Sequence, residues 1–517
     1  MSTPEPHAAR GLDPASLRVL VSRLTGVADE MGAVLRRAAF SPNIKERADC
    51  SAALFTPGGE LLVQAEHIPV HLGSMPASVR AALAVDVGPG EQVILNDPFA
   101  GGTHLNDVTL VAPCFVDDRL VGWAANRAHH ADVGGMAPGS MPPDAEEIAQ
   151  EGLRIPPVPF AEQVAELLIA NSRTPEERRG DLDAQLGANR VGVERLAAFA
   201  GEPLGEIVDY GERRMRAALS EVPDGTWHFE DVLDSCGPGD AQRRPARITL
   251  DLTVSGDTVT FDFTGTDGQR PGNVNAVEAV TASSVAWALR SVTDPTIPAN
   301  GGAMRPVRVV APRGSVVKAV PPVAVGAGNV EVSQRVADVC LGALAQALPG
   351  RVGAAGQGTM NNVLLGGSGW VYYETVAGGQ GGRPGRAGMS GVHTAMTNTR
   401  NTPIEALERA YPLRVLRYRL RRGSGGAGLA PGGEGIERDL QVLEDVTVSL
   451  ITERRVSRPW GLAGGEPGAP GENWLLPGGD EARAERLLDK CTVRLRAGDV
   501  LRMLTPGGGG WGSPHGT

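Results

Sequence analysis

The chain has 517 residues, a net charge of −11 and a pI near 5.4, a balance that argues against a nucleic-acid partner. Lysine occurs only at Lys45, Lys318 and Lys490, so arginine carries nearly all the positive charge, without a basic run. No stretch approaches the ~18 uninterrupted apolar residues of a membrane span, and residues 1–10 lack the apolar core of a signal peptide; a cytoplasmic protein with no membrane association is expected.

The first element read from the pattern is a long helix. Asp13 caps it, Pro14 suits its first turn, and Leu17, Leu20, Leu24, Val27, Met31 and Leu35 form its apolar stripe. A hairpin follows, residues 51–55 and 60–65 about Thr56-Pro57-Gly58-Gly59, bringing Asp49 towards Glu66 and His67. Gln92 to Leu95 reads as a strand entering Asn96-Asp97-Pro98-Phe99. A second hairpin pairs Val108–Phe115 with Leu120–Ala125 about Asp117-Asp118. Residues 175–219 read as charged helix, and a hairpin around Ser255-Gly256-Asp257 follows a boundary near 222. Two apolar helices, 277–292 and 332–348, precede a glycine-rich region. The expected class is mixed α/β (α+β), hairpin-rich and multi-domain, divided into 1–222, 223–350 and 351–517. Sixty-nine glycines and thirty-nine prolines exclude a helical bundle. Cysteines at 50, 114, 236, 340 and 491 are odd in number and scattered, which reads as reduced thiols.

Chemistry concentrates at the second hairpin. If its turn centres on Asp117-Asp118, Asp107 faces Ala128 and His129, so Gly102-Thr103-His104-Leu105-Asn106-Asp107 meets Arg127-Ala128-His129-His130-Ala131-Asp132 at the open end. His104, Asp107 and His129 can then converge on one ion. Two imidazoles and a carboxylate suit Zn, Mn or Fe and leave a coordination position open. The same residues also suit a hydrogen-bonded loop without an ion.

Other chemistries lack their motifs. There is no Gly-Lys dipeptide and so no Walker A loop, no Gly-x-Ser-x-Gly elbow and no His-Glu-x-x-His. Residues Gly378 to Gly382 read as a tight turn, with a phosphate nest as the alternative.

Several long motifs resemble the hydantoinase B/5-oxoprolinase family. They are Glu46-Arg47-Ala48-Asp49-Cys50-Ser51, residues Gln64 to Gly73, Asn96-Asp97-Pro98-Phe99, Gly101 to Asp107, Asn126 to Gly135, Asn300-Gly301-Gly302, Gly326-Ala327-Gly328-Asn329-Val330-Glu331 and Gly507 to Gly512. Members are B-type subunits or domains of ATP-dependent hydantoinases, 5-oxoprolinases and lactamases, and alpha-type subunits of ketone carboxylases.

The resemblance implies a divalent metal held by His104, Asp107 and His129, with Asp49, preferred to Glu46, as an additional ligand. It implies an A-type partner subunit that holds ATP and Mg, hence a hetero-oligomer. That partner phosphorylates a cyclic amide or lactam, and a metal-activated water then opens the ring here. His130, Asp132 and Asp97 are the candidate proton acceptors, although Asp132 and Asp97 better suit orienting a ligand imidazole. His67 and His71 fit structural and catalytic roles equally. A ketone carboxylase subunit and a metal-stabilised scaffold are the alternatives.

Overall fold

The computed structural model describes residues 12–66, 68–240 and 242–514. Its first helix, Pro14–Ala38, begins where expected, with the Asp13 carboxylate accepting from the Ala15 and Ser16 N–H groups. It buries Leu17, Leu20, Leu24, Val27, Met31 and Leu35, the face the spacing selects.

A six-stranded sheet carries the N-terminal part. Its strands are β1 (Cys50–Phe55), β2 (Leu61–Glu66), β3 (Val93–Leu95), β4 (Asp107–Val116), β5 (Arg119–His129) and β6 (Val158–Pro159), in the spatial order β2-β1-β5-β4-β3-β6. Asp117 and Asp118 both take left-handed backbone angles, φ 48° and 58°, which match the twist of a two-residue hairpin turn. That turn sets the register that pairs Asp107 with His129 and Val108 with Ala128.

Helix Pro175–Ala197 packs on β4 and β5 through an unusual face. Its buried side chains include Arg178, Asp181, Gln185 and Asn189, a polar stripe at helical spacing. Burial without partners costs about 1–3 kcal/mol per group, and each of the four side chains has hydrogen-bond partners. Asp181 caps the Phe40 and Ser41 N–H groups and pairs with Arg178, while Gln185 donates to the Val108 carbonyl and to Asn126 Oδ1. Asn189 bonds Asn126 and Gln92.

Three further sheets follow. The second joins β7 (Gly225–Leu233), β8 (Ala246–Ser255), β9 (Thr258–Asp262) and β10 (Val307–Val310), in the order β10-β9-β8-β7. The third joins β11 (Asn362–Gly367), β12 (Trp370–Thr375), β15 (Val446–Ile451) and β18 (Lys490–Leu495). The fourth joins β13 (Leu413–Arg421), β14 (Gly435–Val442), β16 (Glu472–Leu476), β17 (Glu485–Leu487) and β19 (Val500–Leu504). The two apolar helices are Glu278–Val292 and Ser333–Ala347. Residues 222 and 350 lie outside strands, yet one apolar cluster contains Val108, Phe261, Val330 and Tyr373 and so runs across both positions. A buried ionic cluster adds to it: Arg335 reaches Asp231 and Glu453, Arg454 reaches Asp231 and Asp338, and Lys490 reaches Glu453.

Neither a tight turn nor a phosphate nest forms at Gly378 to Gly382. The N–H groups of Gly378, Gly379, Gln380 and Gly382 donate to the carbonyls of Val392, Pro506, Met389 and Gly509. Glycine segments around 380, 430 and 508 lie side by side, joined by bonds such as Gly508 N–H to Gly433 O and Gly433 N–H to Gln380 O. A Cβ on Gly508 would sit 2.1 Å from the Gln380 carbonyl oxygen, so only glycine permits the approach. Among the described residues no helix is long and apolar enough to cross a membrane.

Candidate metal centre

Asp107 is the hub of the buried polar cluster at the open end of the β4–β5 hairpin. His104 Nε2 lies 3.1 Å and His129 Nδ1 3.3 Å from its Oδ1, while His71 Nε2 lies 3.4 Å from its Oδ2. His129 is brought there by strand register, since directly opposed residues of an antiparallel pair share a face. His104 arrives from the turn before β4, where the Asp107 N–H donates to the His104 carbonyl. Thr103 Oγ1 donates to Asp107 Oδ2 at 2.6 Å, and Asn329 Nδ2 approaches the same oxygen at 3.3 Å.

The arrangement leaves Oδ1 unsatisfied. Asp107 Oδ1, both ring nitrogens of His104 and Nε2 of His129 are buried without a hydrogen-bond partner, and His104 Nε2 and His129 Nδ1 are the ring atoms that face Oδ1. Ligand atoms of His104, Asp107 and His129 all lie within 4.8 Å of one another. Buried polar atoms left unpaired are costly, and lone pairs aimed at a common point are what a cation satisfies. The donor set therefore fits a divalent transition ion. Glu46 is only partly buried, whereas Asp49 is buried beside the three residues but outside their mutual contact.

Burial and mutual charge shift the members of the cluster in different directions. Burial disfavours a charged Asp107, but the positive charge of His104 and the close imidazoles of His129 and His71 outweigh it and hold the carboxyl well below its usual range; the same attraction raises His104 against the effect of its burial. Burial pushes His129 down to about 3 and lowers His71 as well, favouring the neutral imidazoles that bind metals. Burial also pushes the Asp49 carboxyl up to about 7, with Arg47 opposing and Asp107 reinforcing the shift.

The other anticipated residues are engaged elsewhere. His130 turns to the opposite side of the strand, where Nε2 meets Gln185 Oε1 at 2.9 Å. Asp132 is saturated by the N–H groups of Gly134, Gly139 and Arg173 and by the Arg173 guanidinium, so it fastens a loop and has no lone pair directed to the centre. Asp97 caps the turn Pro98–Ala100 through the Phe99 N–H and lies 3.6 Å from Arg154 Nε. His130, Asp132 and Asp97 are thus each held by partners outside the group formed by His104, Asp107 and His129. His71 does join the cluster, its Nδ1 fixed by Ser51 Oγ at 3.0 Å; His67 lies outside the described residues.

Reasoning from the sequence alone did not anticipate Tyr373. It comes from β12, stacks on His129 with centroids 4.8 Å apart, and carries the Arg47 guanidinium 4.8 Å from its ring centroid. Its hydroxyl donates to Asn362 Oδ1 at 2.9 Å. Thr103 and Asn329 were also missed as contacts, although both stand inside motifs that carried the family resemblance.

Comparison with known proteins agrees with this architecture. The hydantoinase B/oxoprolinase family model matches residues 13–514, and the chain belongs to that family. 5-Oxoprolinase 1 of Arabidopsis thaliana is 38% identical across 97% of this chain, which spans 42% of that protein's length. The putative B-type subunit of a D-/L-hydantoinase from Pseudomonas sp. (strain NS671) is 32% identical, covering 97% of this chain and 90% of its own. The crystal structure of the ATP-dependent caprolactamase from Pseudomonas jessenii superposes with a TM-score of 0.90 at 28% identity, covering 98% of this chain and 92% of that one.

Proposed function

We propose that this chain is the B-type subunit of an ATP-dependent cyclic-amide hydrolase, which opens a lactam or hydantoin-like ring after an A-type nucleotide-binding partner has activated it by phosphorylation. The observation that carries the reading is the buried convergence of His104, Asp107 and His129, whose ligand atoms all lie within 4.8 Å of one another. The names of the relatives support the reaction class, and the 42% span of the plant enzyme agrees with a division of labour between two polypeptides or domains.

A divalent ion held there would supply Lewis acidity, the chemistry that lowers the pKa of water towards about 7. His104, Asp107 and His129 hold it, and Asp49 is the additional carboxylate we assign to the same centre. Thr103 and His71 fix the Asp107 carboxylate, and Tyr373 limits rotation of the His129 ring. An amide is a poor electrophile, so activation in the partner precedes water attack in this chain. A proton acceptor at the centre is not assigned to His130, Asp132 or Asp97, whose contacts are structural.

The test is Asp107→Asn in the assembled complex, with ADP release and ring-opened product measured in one reaction. Ring opening should vanish while some substrate-dependent ATP cleavage survives, because activation lies upstream. Unchanged ring opening in a variant stripped of its metal would remove the hydrolytic role of the centre.

A further inference from the structure

We propose that a cleft beside this centre binds a small molecule through an anionic group, either carboxylate or phosphoryl. The cleft has a volume of about 480 Å³ and lies between helix Met75–Ala82, the turn Pro98–Ala100 and the start of helix Glu278–Val292. That size is typical of small-ligand sites.

Two segments that line it run straight into the metal centre. Gly73 stands two residues after His71, and Gly101 stands three before His104. The buried Arg127 ties the same region to β5, donating to Ser74 and Ser78 at 2.5 and 2.6 Å from the strand that carries His129. The cleft and the centre thus share their supporting backbone.

Its charge is opposite to that of the whole chain. Arg80, Arg313 and Lys318 line it with a single carboxylate, Glu278, and Lys318 Nζ already pairs with Glu278 at 2.8 Å. Arg80 and Arg313 remain, exposed and without an ion-pair or hydrogen-bond partner among the described residues. Elsewhere on this acidic surface arginines such as Arg305 and Arg502 hold two or more carboxylates. Two uncompensated guanidinium forks on one cleft present the geometry that carboxylate and phosphoryl oxygens accept.

The other half of the ligand is apolar. A second cavity of about 300 Å³ shares Gly73, Arg80 and Ala282 with the first and is walled by Leu72, Met304 and Val307. A ring with one anionic substituent matches the pair of cavities, the ring against the apolar wall and the anion at the arginines. This deepens the hydrolase reading and rests on it for the ligand's role as substrate.

Calorimetric titration of the full chain with 5-oxoproline, its uncharged ring analogue 2-pyrrolidinone, and inorganic phosphate tests the assignment. The wild type should bind 5-oxoproline about tenfold more tightly than 2-pyrrolidinone, and Arg80→Ala/Arg313→Ala should lose that preference together with phosphate binding. Both side chains are exposed, so the variant keeps its fold. Phosphate bound more tightly than 5-oxoproline identifies a phosphoryl group as the recognised anion; the reverse order identifies a carboxylate. Equal affinity of both anions for wild type and variant, or no binding of either anion to the wild type, overturns the cleft. Ring opening that needs the metal but ignores both arginines would remove the cleft and leave the hydrolase. Metal-independent ring opening with arginine-dependent anion binding would do the opposite.

Discussion

His129 and His130 are neighbours in the chain but serve opposite sides of the first sheet. His129 faces Asp107 across the β4–β5 ladder, while the His130 ring reaches Gln185 on helix Pro175–Ala197. Strand alternation alone separates a residue of the metal centre from one that fastens a helix to the back of the sheet.

Metal content should therefore distinguish the two. Elemental analysis should find about one divalent transition ion per wild-type chain. It should find the ion missing from His104→Ala and His129→Ala and retained in His130→Ala. The last variant should instead lose about 1–3 kcal/mol in urea unfolding, because Gln185 is left with a buried unpaired oxygen. Full occupancy in the first two variants would end the ligand assignment.

The isolated chain should not bind MgATP with micromolar affinity. The glycine segment that offered a possible phosphate nest has spent four of its N–H groups on backbone carbonyls, and no Gly-Lys dipeptide exists to replace it. Calorimetry on the isolated chain checks this directly, and saturable micromolar heat would disprove it.

Acid stability should depend measurably on His393. Burial pushes its ring down to about 4, with Arg47 adding to the shift, against an unfolded value near 6.5. The unfolded chain consequently takes up the proton first as pH falls. The contribution is fully present above about pH 6.5 and disappears towards pH 4, a span worth about 1–3 kcal/mol. His393→Gln should flatten the fall in unfolding free energy across that window; parallel curves for the two proteins would contradict the assignment.

Two glycine substitutions should differ sharply. Gly508→Ala puts a methyl 2.1 Å from the Gln380 oxygen and should cost about 3 kcal/mol or more. Gly369→Ala meets no atom within 4 Å and is strained only by its φ of +80°, so about 1 kcal/mol is expected. Urea denaturation of both variants provides the comparison.

What the sequence disclosed was mainly local. The paired aspartates of the turn fixed the hairpin, the hairpin fixed Asp107 opposite His129, and His104 stood three residues away. Tyr373 and Asn329 reach the same point from more than two hundred residues downstream, one from a strand of another sheet and one from the helical turn Gly328–Val332, where tertiary packing decides their neighbours and no short-range periodicity records it. Asp132 and Asp97 have the chemistry of proton acceptors, but whether backbone N–H groups already occupy a carboxylate is a property of the folded loop. The glycine segments misled for a related reason. Gly379 and Gly382 find their partners in Pro506 and Gly509, far along the chain, so punctuation that resembles a turn takes part in chain pairing at long range.

The glycine array is held by main chain against main chain, with almost no hydrocarbon between its segments. Opening it would hydrate mostly peptide groups, and exposure of polar surface lowers heat capacity whereas exposure of apolar surface raises it. This part of the molecule should consequently contribute little to the curvature of stability with temperature, unlike the side-chain cores beside it. Its cohesion should persist on cooling, where cores built on apolar burial weaken.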